Sequence, residues 1–133
     1  MQVNGVDHVN IFTDDIEATV SFFEALMGLR RDVSPAQSMG RKGAWLRDSL
    51  NNAIIHISWR DPNHEFGAGH EPGLSTNAVH HVAFRCSGFD DALERVRAMG
   101  IEHRANGEVR FGVRQIFVKD PNNINVELNF AGD

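Results

Sequence analysis

At 133 residues, with 41% hydrophobic and 23% charged side chains, the chain has the make-up of one compact domain or of two small modules sharing a core. A net charge of -5 and a pI near 5.7 exclude the basic surface that nucleic acid or an anionic membrane would require. No apolar run is long enough to span a membrane, and the single cysteine, Cys86, allows no intrachain disulfide.

A cytoplasmic, reducing setting is the expectation, since the first residues show no basic stretch followed by a long apolar run. Cys86 ends an apolar run and reads as a structural thiol. The seven histidines are many for this length, and the absence of tyrosine removes one common acid/base and hydrogen-bonding group.

Residues 6–12 predict a first strand, with Val6, His8 and Asn10 on one face and Val9 and Ile11 on the other. Asp14 and Glu17, spaced as a capping box, predict a helix start. Its apolar stripe is Ile16, Val20, Phe23 and Met27, and Gly28 is its natural C-cap. A short strand over 29–33 is followed by a loop over 34–43 that carries Arg41 and Lys42. Residues 44–47 predict a third strand, 48–52 a turn and 53–59 a fourth strand, in which Ile55, Ile57 and Trp59 alternate against Ile54, His56 and Ser58.

Residues 62–78 form the least periodic stretch and read as a linker between a first module (1–61) and a second (79–133). His64 and His70 lie in it and read as surface groups, as does His103 further on. The pattern then restarts. A strand over 79–84 places His80 and His81 on opposite faces, and Asp91 and Glu94 repeat the capping-box spacing. Phe89, Leu93 and Val96 form the helix stripe, and Gly100 ends it. A short strand over 101–104, a loop with Arg110 and a strand over 113–119 lead to a turn at Asp120-Pro121-Asn122-Asn123. In the last strand Val126, Leu128 and Phe130 face one way, and Asn125, Glu127 and Asn129 the other.

Laid on each other, the two halves repeat. His8 precedes Ile16 by eight residues and His81 precedes Phe89 by eight; His56 follows Asp48 by eight and Glu127 follows Asp120 by seven. The unit is strand, helix and three strands, an α+β architecture of two tandem βαβββ modules. Each module carries one metal-binding residue type on its first strand and one on its fourth. His8, His56, His81 and Glu127 all face away from the apolar set that must cover the helix. Imidazole and carboxylate together suit a divalent ion (Fe, Zn, Ni, Co or Mn), and four protein ligands on an octahedral ion leave two positions for a chelating substrate. Asn10, Ser58, Asn125 and Asn129 share that face.

The sequence resembles the vicinal oxygen chelate superfamily, which includes glyoxalase I, methylmalonyl-CoA epimerase, extradiol dioxygenases, and fosfomycin- and bleomycin-resistance proteins. The resemblance spans about residues 5–130 and is carried by Asp7-His8-Val9, Phe22-Phe23, Leu26-Met27-Gly28-Leu29, His81-Val82-Ala83-Phe84, Phe117-Val118-Lys119-Asp120-Pro121-Asn122 and Val126-Glu127-Leu128. It implies paired βαβββ modules forming a cupped, partly open mixed β-barrel with helices outside, and a homodimer. His8, His81 and Glu127 match the family's metal positions. His56 stands where glyoxalase I has glutamate and the epimerases glutamine, so it either ligates or serves as a base near neutral pH.

The resemblance implies, first, a metal-dependent lyase or isomerase of glyoxalase type, with a small substrate bound through vicinal oxygens and Glu127 or His56 as the catalytic base. Arg41, Lys42, Arg47, Arg110 and Arg114 are candidates to hold a substrate carboxylate. The alternatives are a ring-cleaving iron dioxygenase, a fosfomycin-type thiol transferase, and a metal-free binding protein with a pocket lined by Trp45, Trp59 and Phe111. The absence of tyrosine counts against the dioxygenase and the transferase, and the four ligand positions count against the metal-free binder.

Overall fold

The structure is a computed structural model that describes residues 1–65 and 67–132. Its elements run β1 (Val9–Thr13), α1 (Ile16–Met27), β2 (Arg30–Val33), a 3-10 turn (Pro35–Met39), β3 (Gly43–Arg47), β4 (Ala53–Trp59), β5 (Val82–Cys86), α2 (Phe89–Ala98), β6 (His103–Arg110), β7 (Val113–Lys119) and β8 (Asn125–Ala131). This is the expected α+β pattern of two βαβββ modules, with one four-stranded sheet in each: β1-β4-β3-β2 and β5-β8-β7-β6. Between Arg60 and His81 the described residues make turns and bends, without helix or strand. Among the described residues no helix is long and apolar enough to cross a membrane.

The chain divides into two compact units, Met1–Glu24 with Gly28–His70, and Ala25–Met27 with Glu71–Asp133. In the first, β1 lies parallel to β4, while β3 is antiparallel to both β4 and β2. Alternation buries Ala44, Leu46, Ile55 and Ile57 on one face, with Val20 and Phe23 of α1 also buried. In the second, β5 lies parallel to β8, and the order is otherwise the same. Val126, Leu128 and Phe130 are each 1% exposed, as alternation in the last strand requires, and Phe89 meets Phe130 edge-on at 5.4 Å.

Several local expectations are corrected. β1 starts at Val9 and β5 at Val82, so His8 and His81 each stand just before their strand. Val9 pairs with Ile55 and opens the first parallel ladder, as Val82 pairs with Val126 and opens the second. Neither capping box forms. The N-cap of α1 is Asp15, which accepts from the Ala18 amide at 2.9 Å, while Glu17 takes both terminal nitrogens of Arg31 at 2.7 and 2.8 Å. Before α2 the chain turns at Gly88, φ 79°, a left-handed conformation that glycine adopts without strain. Most of the expected 105–112 loop is strand, because β6 continues past a register shift between Asn106 and Arg110.

Candidate functional site

In the first unit, alternation along β3 and β4 puts Trp45, Arg47 and His56 on the face opposite the buried aliphatics. There they stack. The His56 ring lies 3.7 Å from the His8 ring with 19° between planes, and 4.3 Å from the Trp45 ring with 6°. The Arg47 guanidinium sits 5.8 Å from the other ring system, Trp45, and donates to Asp32 Oδ2 at 2.7 Å. Burial, and then the charge of His8, hold the His56 pKa below the ordinary histidine value. His8 Nδ1 lies 2.6 Å from Asp7 Oδ1. A carboxylate only accepts, so Nδ1 carries a proton and Nε2 is the nitrogen turned away from Asp7. Stacked imidazoles hold their lone pairs in parallel planes, which suits one ligand beside one non-ligating ring better than two ligands on one ion.

In the second unit His81 Nε2 lies 3.3 Å from Glu127 Oε2, and the Glu127 side chain is 12% exposed. Its other oxygen, Oε1, accepts from Gln115 Nε2 at 2.7 Å, and Gln115 also donates to Asn129 Oδ1 at 3.0 Å. The carboxylate is thus held by one oxygen and free to point the other at His81. His80 is exposed, with its Nδ1 2.9 Å from Nδ1 of His81. It is therefore a neighbour of the candidate ligand, although alternation alone would turn it away.

Strand register makes the two halves equivalent. Asn10 pairs with His56 and Ala83 with Glu127, and His8 and His81 each stand two residues earlier in the chain, immediately before the first strand of their pair. Both pairs therefore occupy the same place in their module. Trp45 pairs with His56 as Phe117 pairs with Glu127. The offset of eight residues against seven is taken up by a bulge: Arg47 pairs with Ala53 and Leu46 with Ile55, so Ile54 is skipped. The preceding turns match too. Asp48 Oδ1 accepts from the amides of Leu50 and Asn52, Asp120 Oδ1 from those of Asn122 and Ile124, and Asn51 and Asn123 take φ 69° and 65°. Burial pushes the Asp120 carboxyl up, while hydrogen bonds from Asn52 and Leu50 hold Asp48 below the usual carboxylate range.

The structure thus brings together His8 with His56, and His81 with Glu127. The donor types fit a divalent ion, yet among the described residues no group of three or more His, Cys, Asp or Glu side chains is gathered as a metal site. Two donors come from each unit.

The first unit also contains a cavity of about 550 Å3. Asn10 and Ser58, which continue the His56 face, form part of it; Ser58 Oγ donates to Asn10 Oδ1 at 2.9 Å. Arg41 and Lys42 line it, as do His64 and His70, which the linker position had suggested were plain surface groups. The turn after Asp61 folds the chain back: Asp61 O accepts from the His64 amide at 3.1 Å, and the His70 ring rests 4.8 Å from Phe12. Of the other candidate cations, Arg114 pairs with Asp90 at 3.5 Å and Arg110 with Glu108 at 3.8 Å. Trp59 lines the cavity, Trp45 is in the stack, and Phe111 is fully exposed.

Gln115 escaped the sequence reading. Its only signal was a polar residue on an apolar strand, opposite Asn129. His103 Nδ1 contacts Ile101 O at 3.0 Å, a local bond, and Cys86 is half-buried with its thiol pKa raised by burial.

Comparison with known proteins places these features in context. The family described as the Glyoxalase/Bleomycin resistance protein/Dioxygenase superfamily matches residues 5–128. No curated protein matches the chain by sequence. Solved structures with the same fold include a protein from the mobile metagenome of V. Pseudocholerae, with 19% identity, TM-score 0.77, and coverage of 100% of this chain and 98% of that one. A virulence protein of Salmonella typhimurium shares 21% identity at TM-score 0.74, covering 98% and 99%. A mutant of the fosfomycin resistance protein FosX of Listeria monocytogenes, complexed with Mn(II) and 1S,2S-dihydroxypropylphosphonic acid, shares 19% identity at TM-score 0.68, covering 98% and 92%.

Proposed function

Since the chain belongs to the Glyoxalase/Bleomycin resistance protein/Dioxygenase superfamily, we propose that it is a divalent-metal-dependent, glyoxalase-like lyase or isomerase. Its small substrate would chelate the metal through vicinal oxygens. His8, His81 and Glu127 are the ligands in this reading and His56 is the base. The observation that carries it is the equivalent placement of His8–His56 and His81–Glu127, each histidine immediately before the first strand of a parallel pair and its partner on the second. Mn(II) in the FosX structure supports a divalent ion, though that protein is only a fold relative.

When bound, the ion supplies Lewis acidity toward the substrate's two oxygens. The rest is done by side chains. Asp7 keeps the proton on His8 Nδ1, so that Nε2 is the ligating atom. Gln115 holds Glu127 Oε1 and leaves Oε2 for the ion. His56, clamped between His8 and Trp45, has a pKa lowered chiefly by burial, which favours the neutral form that a proton acceptor needs. It would take the proton from one substrate carbon and return it to the neighbour. A homodimer is the working form that the resemblance implies.

The test is turnover of methylglyoxal–thiol adducts and of catechols after reconstitution with single metals. His56→Gln should lower kcat by about 100-fold, within the usual range for loss of a general base, while metal affinity stays within about threefold of the parent. Loss of metal together with activity would instead make His56 a ligand. The two-histidine, one-carboxylate set also favours a second reading: catechol ring cleavage with Fe(II), without isomerase activity, would replace the first. Activity indifferent to chelator would rule out both.

A further inference from the structure

The cavity in the first unit has a chemistry of its own. Its described lining includes the aromatic residues Phe12 and Trp59 and two consecutive cations, Arg41 and Lys42. The chain holds those cations in place by its backbone. The 3-10 turn closes at Gly40, φ 76°, and the Arg41 amide donates to Ala36 O at 3.1 Å. Gln37 ties the loop to Gly43 O at 3.0 Å, and Lys42 O accepts from the Trp59 amide at 2.9 Å. The Lys42 ammonium lies 5.2 Å from the Trp59 ring, and an Arg41 terminal nitrogen 3.4 Å from His64 Nε2.

Against these two positive charges the described lining residues include one carboxylate, Asp61, whose Oδ1 already accepts from the Asn63 amide at 2.9 Å. A net positive cavity in a chain of charge -5 is a local reversal of sign. The cavity volume of about 550 Å3 suits a small molecule. Ser58 is two residues from His56 on the same face, so the cavity begins roughly 7 Å from the His56 stack.

We propose that this cavity binds a small aromatic or compact apolar anion, with its carboxylate or similar group against Arg41 and Lys42 and its body on Phe12 and Trp59. That such a ligand is the substrate rests on the metal-enzyme reading; the binding itself does not.

The experiment is a fluorescence titration of the full chain in excess chelator, with phenylacetate as the anionic probe and phenylacetamide as its neutral isostere. Phenylacetate is expected to quench saturably, with a Kd on the order of 1 mM for so small a ligand. Phenylacetamide should bind at least about tenfold more weakly, because it forgoes charge-assisted bonds. The double variant Arg41→Gln/Lys42→Gln should bring phenylacetate to the level of the amide, and Trp59→Phe should remove the signal that Trp45 cannot supply. Absence of a saturable quench, equal affinity for the two probes, unchanged affinity in the double variant, or a quench that survives Trp59→Phe would each overturn the proposal. With chelator present throughout, its failure leaves the metal reading standing, and failure of the metal reading leaves this one standing.

Discussion

Asp7 is an exposed residue whose importance lies in one contact, 2.6 Å to His8 Nδ1. A histidine has two nitrogens, and the partner of one decides which is available to a metal. Without Asp7 the His8 ring is free to present either nitrogen and to turn off its ligating orientation. Asp7→Ala should therefore weaken metal binding by about 10- to 100-fold, and Asp7→Asn, whose carbonyl oxygen still accepts, should recover most of it. Calorimetric titration with Mn(II) or Zn(II) reads both; equal affinity in parent and Asp7→Ala would leave the contact without a role. Gln115 does for Glu127 what Asp7 does for His8, through a bond between side chains that share a face of neighbouring strands. The faces of His56 and Glu127 were legible because alternation assigns a face from the strand's own residues. Gln115 was not, since its role depends on which strand lies beside it.

At the scale of elements, most strands and both helices could be read from periodicity, and the departures have local causes. The first capping box meets a competing partner: Arg31 takes Glu17. The first strand was expected three residues too early because the limit of a parallel ladder is set by the strand it pairs with, which the strand's own alternation does not reveal. The bulge at Ile54 explains why His56 and Glu127 are equivalent despite unequal spacing. The halves differ at one other telling position. Gly43 pairs with Ser58 as Gln115 pairs with Asn129, yet a Cβ on Gly43 would lie 2.3 Å from Ile57 O. Backbone occupies the space that a side chain would need, so the first sheet has no counterpart of Gln115. Gly43→Ala should cost more than about 2 kcal/mol, as for a tightly packed site forced to accept volume. Chemical denaturation with an unchanged m-value measures it, and a loss below about 0.5 kcal/mol would show that the strands part easily.

For the whole molecule, the repeat is what turns four scattered residues into a candidate site. Two modules built on one plan each place two donors in equivalent positions, and each supports them with a different acceptor or donor, Asp7 in one and Gln115 in the other. The site's donor types could be read in the sequence, while the cavity could not. The cavity depends on the chain doubling back through residues 61–70, where no periodicity exists to forecast a contact. The central claim is that both modules serve one metal function, with His8 from the first and His81 and Glu127 from the second. Calorimetric titration of chelator-stripped protein with Mn(II) and Zn(II) tests it most directly, comparing the parent with His8→Ala, His81→Ala and Glu127→Ala. We predict saturable binding by the parent and a loss of at least about 100-fold in each variant, as expected when one of three ligands is removed. Unchanged affinity in His81→Ala and Glu127→Ala would contradict the account.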